Sequence, residues 1–292
     1  MKKYVIGIIL LVLALFAVIL FSSPSENKQA QNKAETVNLQ DAHGLAVDRK
    51  NSSKVYIATH TGLLVMNNDS ELQRVSEAKD DYMGFSAHPT DPNIFYSSGH
   101  PSGGGNIGFQ KSTDGGRTWQ KISNGINGPV DYHAMTVSQA APSIVYGVYR
   151  GQLQRSNNEG KDWQLVQSNL ANPIVLATSP TTKDTVYAGT TDGLLVSQNQ
   201  GDKWTKLNLS DTVVAVAVNP KNEQQIVAYS QDKGLVVSND GGNTWEKLSG
   251  YTGGTVIQIA YDVQNPSTLY LINQNLEVHK TTDNGATWKK VR

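Results

Sequence analysis

From His43 onward the chain is a succession of short apolar runs cut by turn residues, and the runs recur. Six stretches open on Leu45-Ala46-Val47, Gly84-Phe85-Ser86, Ala134-Met135-Thr136-Val137, Val175-Leu176-Ala177, Val214-Ala215-Val216 and Ile257-Gln258-Ile259. A second run follows in each, from Val55-Tyr56-Ile57 to Leu269-Tyr270, and then a third such as Gly193-Leu194-Leu195-Val196. Runs this short, rich in β-branched and aromatic residues and bounded by Gly, Asn, Asp and Ser, predict strands. The one long apolar run is Tyr4 to Phe21, preceded by Lys2-Lys3. As a helix its 18 residues would reach about 27 Å, close to a hydrocarbon core of about 30 Å.

All five tryptophans close the same phrase: STDGGRTW at 112–119, SNNEGKDW at 156–163, SQNQGDKW at 197–204, SNDGGNTW at 238–245 and TTDNGATW at 281–288. Successive tryptophans stand 44, 41, 41 and 43 residues apart. Four short strands per repeat of about 42 residues describe a propeller blade. The sequence thus predicts an all-β, six-bladed β-propeller of four-stranded blades over 43–292, the first blade carrying a degenerate phrase at Met66-Asn67-Asn68-Asp69. Residues 1–21 read as a membrane anchor, with a cleaved secretory signal as the alternative, and 22–42 as a polar linker. Lys2 and Lys3 would stay cytoplasmic, which places the propeller outside the membrane. Residues 36–42 (TVNLQDA) are a candidate outer strand closing blade six.

The repeated phrases resemble the Asp box, S-x-D-x-G-x-T-W, of BNR-repeat propellers, a group that includes sialidases, sortilin-type receptors and a photosystem II assembly factor. The resemblance implies that each box is a hairpin between the third and fourth strands of a blade. Asp114, Asn158, Asn199, Asp240 and Asp283 would accept backbone N–H groups inside the turn. Trp119, Trp163, Trp204, Trp245 and Trp288 would pack between sheets.

Box turns at one end of the blades leave the loops between second and third strands, and those leading into each first strand, together on the other face. His43, His60, His100 and His133 all fall on that rim, within three adjacent blades, whereas His88 and His279 do not. Asp41, Asp80, Asp81 and Asp131 precede the inner strands of the same blades, where Ile174, Val213 and Thr255 stand in the others. Blade two also carries about seven extra residues on this rim, in Ser97–Gly108. Imidazole with carboxylate suits zinc, copper or nickel, so the four histidines are candidate metal ligands and Asp81 and Asp131 candidate catalytic carboxylates. The plainer reading is a wet, polar channel mouth. The phrases HGLAVD, ATHTGL, DYMGF, SGHP and DYHAM further resemble exported bacterial Asp-box proteins loosely labelled glycosyl hydrolases. By that resemblance His43, His60, Met83, His100 and His133 are the matched positions, with a histidine often found where this chain has Asp41.

Composition narrows the chemistry. Twenty-five Lys+Arg balance 25 Asp+Glu, so no global field draws nucleic acid. Cysteine is absent, which removes disulfides, thiolate metal sites and lipidated cysteine. A sialidase needs an arginine triad, and of the six arginines only Arg150 is placed on the rim. The sequence therefore predicts a membrane-tethered binding or assembly module for a protein or glycan at the cell surface, with a glycosyl hydrolase at the same rim as the alternative.

Overall fold

The computed structural model describes residues 37–292. The run read as an anchor, Tyr4 to Phe21, lies outside them, and among the described residues no helix is long and apolar enough to cross a membrane.

Twenty-four strands form six four-stranded sheets, each made of four consecutive antiparallel strands. Blade one is β1 (Gly44–Val47), β2 (Lys54–Thr59), β3 (Gly62–Asn67) and β4 (Leu72–Arg74); blade two is β5 (Asp81–Ala87), β6 (Phe95–His100), β7 (Phe109–Ser112) and β8 (Gln120–Ser123). Blades three to six begin with β9 (Ala134–Val137), β13 (Pro173–Thr178), β17 (Val213–Asn219) and β21 (Val256–Tyr261), and the last ends with β24 (Lys289–Lys290). Each inner strand touches the inner strand of the next blade, and β21 returns to β1, so the ring closes around a channel.

The core lies between blades. One cluster joins Tyr56, Ala58 and Leu63 of blade one to Tyr82, Phe85 and Phe95 of blade two, with Trp119 at its edge. Trp119 stacks on Tyr82 at 4.8 Å, and Trp163 meets Tyr132 at 4.9 Å. The box turns form as the resemblance implies. In the first, Asp114 Oδ1 accepts the N–H groups of Arg117 and Thr118 at 3.1 and 2.9 Å, and Trp119 Nε1 donates to Gly116 O. Gly116 has φ 87°, a conformation that penalises any side chain. Asn158 and Asn199 each accept one N–H, from Asp162 and Lys203, both at 2.9 Å. Blade four departs in one respect: Trp204 is the most buried of the indoles, and its Nε1 has no hydrogen-bond partner.

The seam between blades six and one is not closed by a borrowed strand. Blade six is completed by its own β24. Residues 37–42 form no strand; instead the Val37 N–H donates to Leu72 O at 3.1 Å, and Val37, Leu39 and Ala42 pack into a cluster with Ile57, Leu72, Ile272 and Val278. The apolar alternation of this stretch is therefore spent on filling the seam, which needs side chains and not a further ladder. Across the same seam Asp69, from the degenerate box, accepts from Tyr270 Oη at 2.9 Å and pairs with Lys280 Nζ at 2.8 Å.

Candidate functional site

Three features of the backbone bring the rim residues together. The turn from β2 to β3 carries His60, and its N–H donates to Asp41 Oδ1 at 2.7 Å, which ties the approach to β1 onto that turn. His43, the residue before β1, donates its own N–H to Ala58 O. The third feature corrects the sequence reading of 97–108 as a loop: Ser97 to His100 extend β6, and only 101–108 loop out. Ser97 still faces Gln110 of β7, whereas Ser98 to His100 pair with β5 alone, setting His100 opposite Asp81 and Ser98 opposite Met83. Ser98 Oγ is buried, donates to Val130 O at 3.3 Å and accepts the Tyr132 N–H at 2.9 Å. That clasp holds the chain on both sides of Asp131.

The result is a chain of imidazoles and carboxylates across blades one to three. His43 Nε2 lies 3.0 Å from His60 Nδ1 and 3.5 Å from Asp41 Oδ1; His60 Nδ1 lies 3.2 Å from Asp41 Oδ2. One ligand atom from each of Asp41, His43 and His60 falls within 4.8 Å of the others, a spacing that one metal ion can bridge. His60 Nε2 continues to Asp81 Oδ2 at 3.7 Å. Beyond it, Asp131 Oδ2 receives His100 Nε2 at 3.1 Å and His133 Nε2 at 2.8 Å. The four predicted histidines thus divide into two pairs, His43 with His60 and His100 with His133, each gathered on its own carboxylate. Asp41 enters the tightest group although the predicted ligand set was histidine only; its place before an inner strand, shared with Asp81 and Asp131, was the available signal. Met83 is buried in β5 behind this array. His88 lies on the opposite face, where its Nδ1 accepts the N–H groups of Thr90 and Asp91, and His279 sits in β23 (Val278–Thr281) against Tyr251 and Glu277.

Electrostatics follow from burial. Desolvation, with His60 beside it, lowers His43 to about 4, so its imidazole is neutral at ordinary pH. The hydrogen bond to Asp131 raises His133. Burial raises Asp81, and the charges of Asp131 and Asp41 add to that against the pull of His60 and His100. Asp81 and Asp131 are each more than nine-tenths buried, and each leaves its Oδ1 without a hydrogen-bond partner.

Six blades, a box hairpin in five of them and a polar cluster at one mouth of the channel define a repeat propeller with a candidate site on its rim. The family model described as BNR/Asp-box repeat matches residues 110–121. The fold is thus a six-bladed β-propeller, and one of its repeats matches the BNR/Asp-box model. Among solved structures, a GH74 enzyme from Niastella koreensis superposes with a TM-score of 0.57 at 17% identity, over 85% of this chain and 53% of that one. The GH74 xyloglucanase from Xanthomonas campestris gives 0.57 at 15%, over 85% and 45%. The chain thus spans about half the length of these enzymes. YCF48 bound to D1 peptide gives 0.53 at 14%, over 89% of this chain and 84% of that one. These likenesses are of fold. No curated protein matches the chain in sequence.

Proposed function

We propose that this protein is an extracytoplasmic binding or assembly module, tethered through Tyr4–Phe21, whose rim holds a divalent transition ion. The observation that carries the reading is the Asp41, His43 and His60 group, three ligand atoms of two kinds within 4.8 Å on two rigid loop–strand junctions. Imidazole and carboxylate together suit zinc, nickel or copper, and three protein ligands leave a position for a group from the partner. His100, Asp131 and His133 flank that position. A peptide-bound propeller of similar fold and size, YCF48, supports a protein partner.

Calorimetric titration with zinc, nickel and copper tests the reading. One ion per chain is expected, with binding lost in His43→Ala and His60→Ala and kept in His88→Ala, since His88 faces the other side. Stoichiometric binding that survives both rim substitutions would place the ion elsewhere. The tether is checked by protease added to intact cells, which should release the propeller and leave Lys2 and Lys3 protected.

A second reading rests on Asp81 and Asp131, two buried carboxylates each with an uncommitted oxygen. Such a pair suits glycoside hydrolysis, and GH74 enzymes share the fold. Turnover of xyloglucan or a related glycan, abolished in Asp81→Asn and Asp131→Asn, would establish it; absence of turnover across a glycan panel would remove it.

A further inference from the structure

The end of the channel away from the rim carries a different chemistry. His43 precedes β1 and Arg49 follows it; His133 precedes β9 and Gln139 follows it. Arg49 and Gln139 therefore stand at the opposite end from the histidines, on the face of the box turns, and both line the channel's cavity of about 410 Å³. Arg49 reaches from blade one past blade two to blade three. Its Nε donates to His88 O at 3.1 Å and its Nη2 to Gln139 Oε1 at 3.3 Å, while Gln264 Nε2 of blade six donates to Arg49 O at 2.9 Å. The side chain is thus fixed by neutral acceptors alone, and Nη1 has no hydrogen-bond partner among the described residues.

No carboxylate on this face answers the guanidinium. Asp48 is spent inside its own turn, where Oδ1 accepts the N–H groups of Lys50 and Asn51 at 2.8 and 2.9 Å and Oδ2 the Tyr56 hydroxyl at 3.3 Å. Asp262 is buried and accepts the Gln264 N–H at 2.9 Å. Neither lines the cavity. Burial lowers Arg49 to about 10 against the charge of Asp48, so at ordinary pH it is a cation with no counter-ion in contact. Gln139 gives its oxygen to Arg49, which leaves its Nε2 amide group as a further donor beside the guanidinium, without a partner among the described residues. From blades five and six, Val218, Ile259 and Val263 present half-buried hydrocarbon to the same cavity.

We infer that this end of the channel binds a small amphiphilic carboxylate, its oxygens on the Nη1–Nη2 edge of Arg49 and on Gln139 Nε2, and its alkyl chain in the channel against Val218, Ile259 and Val263. The volume is that of a small-molecule pocket. The sign of the head group follows from the unanswered cation, and its shape from the free edge, since two parallel N–H groups of a guanidinium match the two oxygens of a carboxylate. The bonds to His88 O and Gln139 hold that edge in place before any ligand arrives, which lowers the entropy cost of binding. The site is independent of the metal reading, because it uses none of Asp41, His43 and His60 and lies at the other end of β1.

The test is a calorimetric titration of the full chain with straight-chain carboxylates from butanoate to octanoate, beside hexanol and hexylammonium, each with and without EDTA. Affinity should rise by about three- to fourfold per methylene, hexanoate should bind about tenfold or more tightly than hexanol or hexylammonium, and EDTA should change nothing. Gln139→Glu keeps the side chain's size and its bond to Arg49 while supplying the missing carboxylate from within. It should raise the melting temperature, weaken hexanoate about tenfold or more and leave hexanol unchanged. Arg49→Gln should weaken hexanoate equally, and Ile259→Ser should flatten the chain-length dependence. Hexanoate that binds no more tightly than hexylammonium, or that is unaffected by both Gln139→Glu and Arg49→Gln, overturns the anion assignment. Affinity independent of chain length overturns the apolar wall. Binding that disappears in EDTA places the carboxylate on a metal at the rim and overturns the site at Arg49.

Discussion

At the scale of single residues, the box carboxylates show how a turn makes its own acid sensitivity. Thr244 donates its hydroxyl and its N–H to Asp240, Ser238 adds a third bond, and together they hold the carboxyl at about 2; Thr287 and Thr281 do the same for Asp283. A folded value below the unfolded one, 3.8, means that the unfolded chain binds protons first as pH falls. The stabilisation is present above that value and is lost as pH drops from there toward about 2. Asn158 and Asn199 accept the equivalent N–H without titrating. The double variant Asp240→Asn, Asp283→Asn should therefore show a melting temperature that falls less steeply between pH 4 and pH 2 than the parent. Parallel curves would mean that these turns do not govern acid stability. Gly160 answers differently: at φ 79° with Phe109 against its Cα, Gly160→Ala should cost about 2 to 4 kcal/mol in urea unfolding.

Strands and loops decide where the polar residues end up, and the β6 extension is the clearest instance. Ser98→Ala leaves the buried Tyr132 N–H without an acceptor, a loss of about 1 to 3 kcal/mol, and it loosens the segment that carries Asp131 and His133. Stability should fall by that amount, and any occupant of the His100–Asp131–His133 side should be weakened, whereas ion binding at Asp41, His43 and His60 should persist. This division of the histidines was not legible in the sequence. Strand order alone assigned all four to one rim, because loops between successive strands must alternate ends. Where His100 reaches depends on the length of β6, and Ser98–His100, with its serine and glycine, reads as loop until its pairing with β5 is seen. The extra residues in the inner strands of blades two, four, five and six, between Met83 and Ser86 and at Ile174, Val214 and Ile257, were hidden for a related reason: an extra residue is defined only against a partner's register. The blades themselves were legible, since each box puts a tryptophan at the same point of a repeat of nearly constant length.

For the whole molecule the weak point is the seam, where residues far apart in the chain must meet. Asp69 anchors it through Tyr270 and Lys280, and Gln264 Nε2 donates to Arg49 O at 2.9 Å. Asp69→Ala removes two seam contacts without touching any other blade boundary. It should lower stability by about 1 to 3 kcal/mol and act mainly on the unfolding rate if ring closure follows blade formation. Stopped-flow unfolding checks this, and an effect confined to the refolding rate would place closure early. Deleting Trp288–Arg292 takes away β24 and should abolish cooperative unfolding altogether, as monitored by tryptophan fluorescence.

Because no strand is exchanged across the seam, every blade is one uninterrupted stretch of chain. Arg292 Nη2 donates to Val37 O at 3.3 Å, so the two ends of the ring meet there. Joined by a short linker, the ring could be cut between any two consecutive blades and re-expressed with new termini, each sheet still whole. A set of such circular permutants, one per blade boundary, would report the strength of each boundary in turn, with the native seam as the reference.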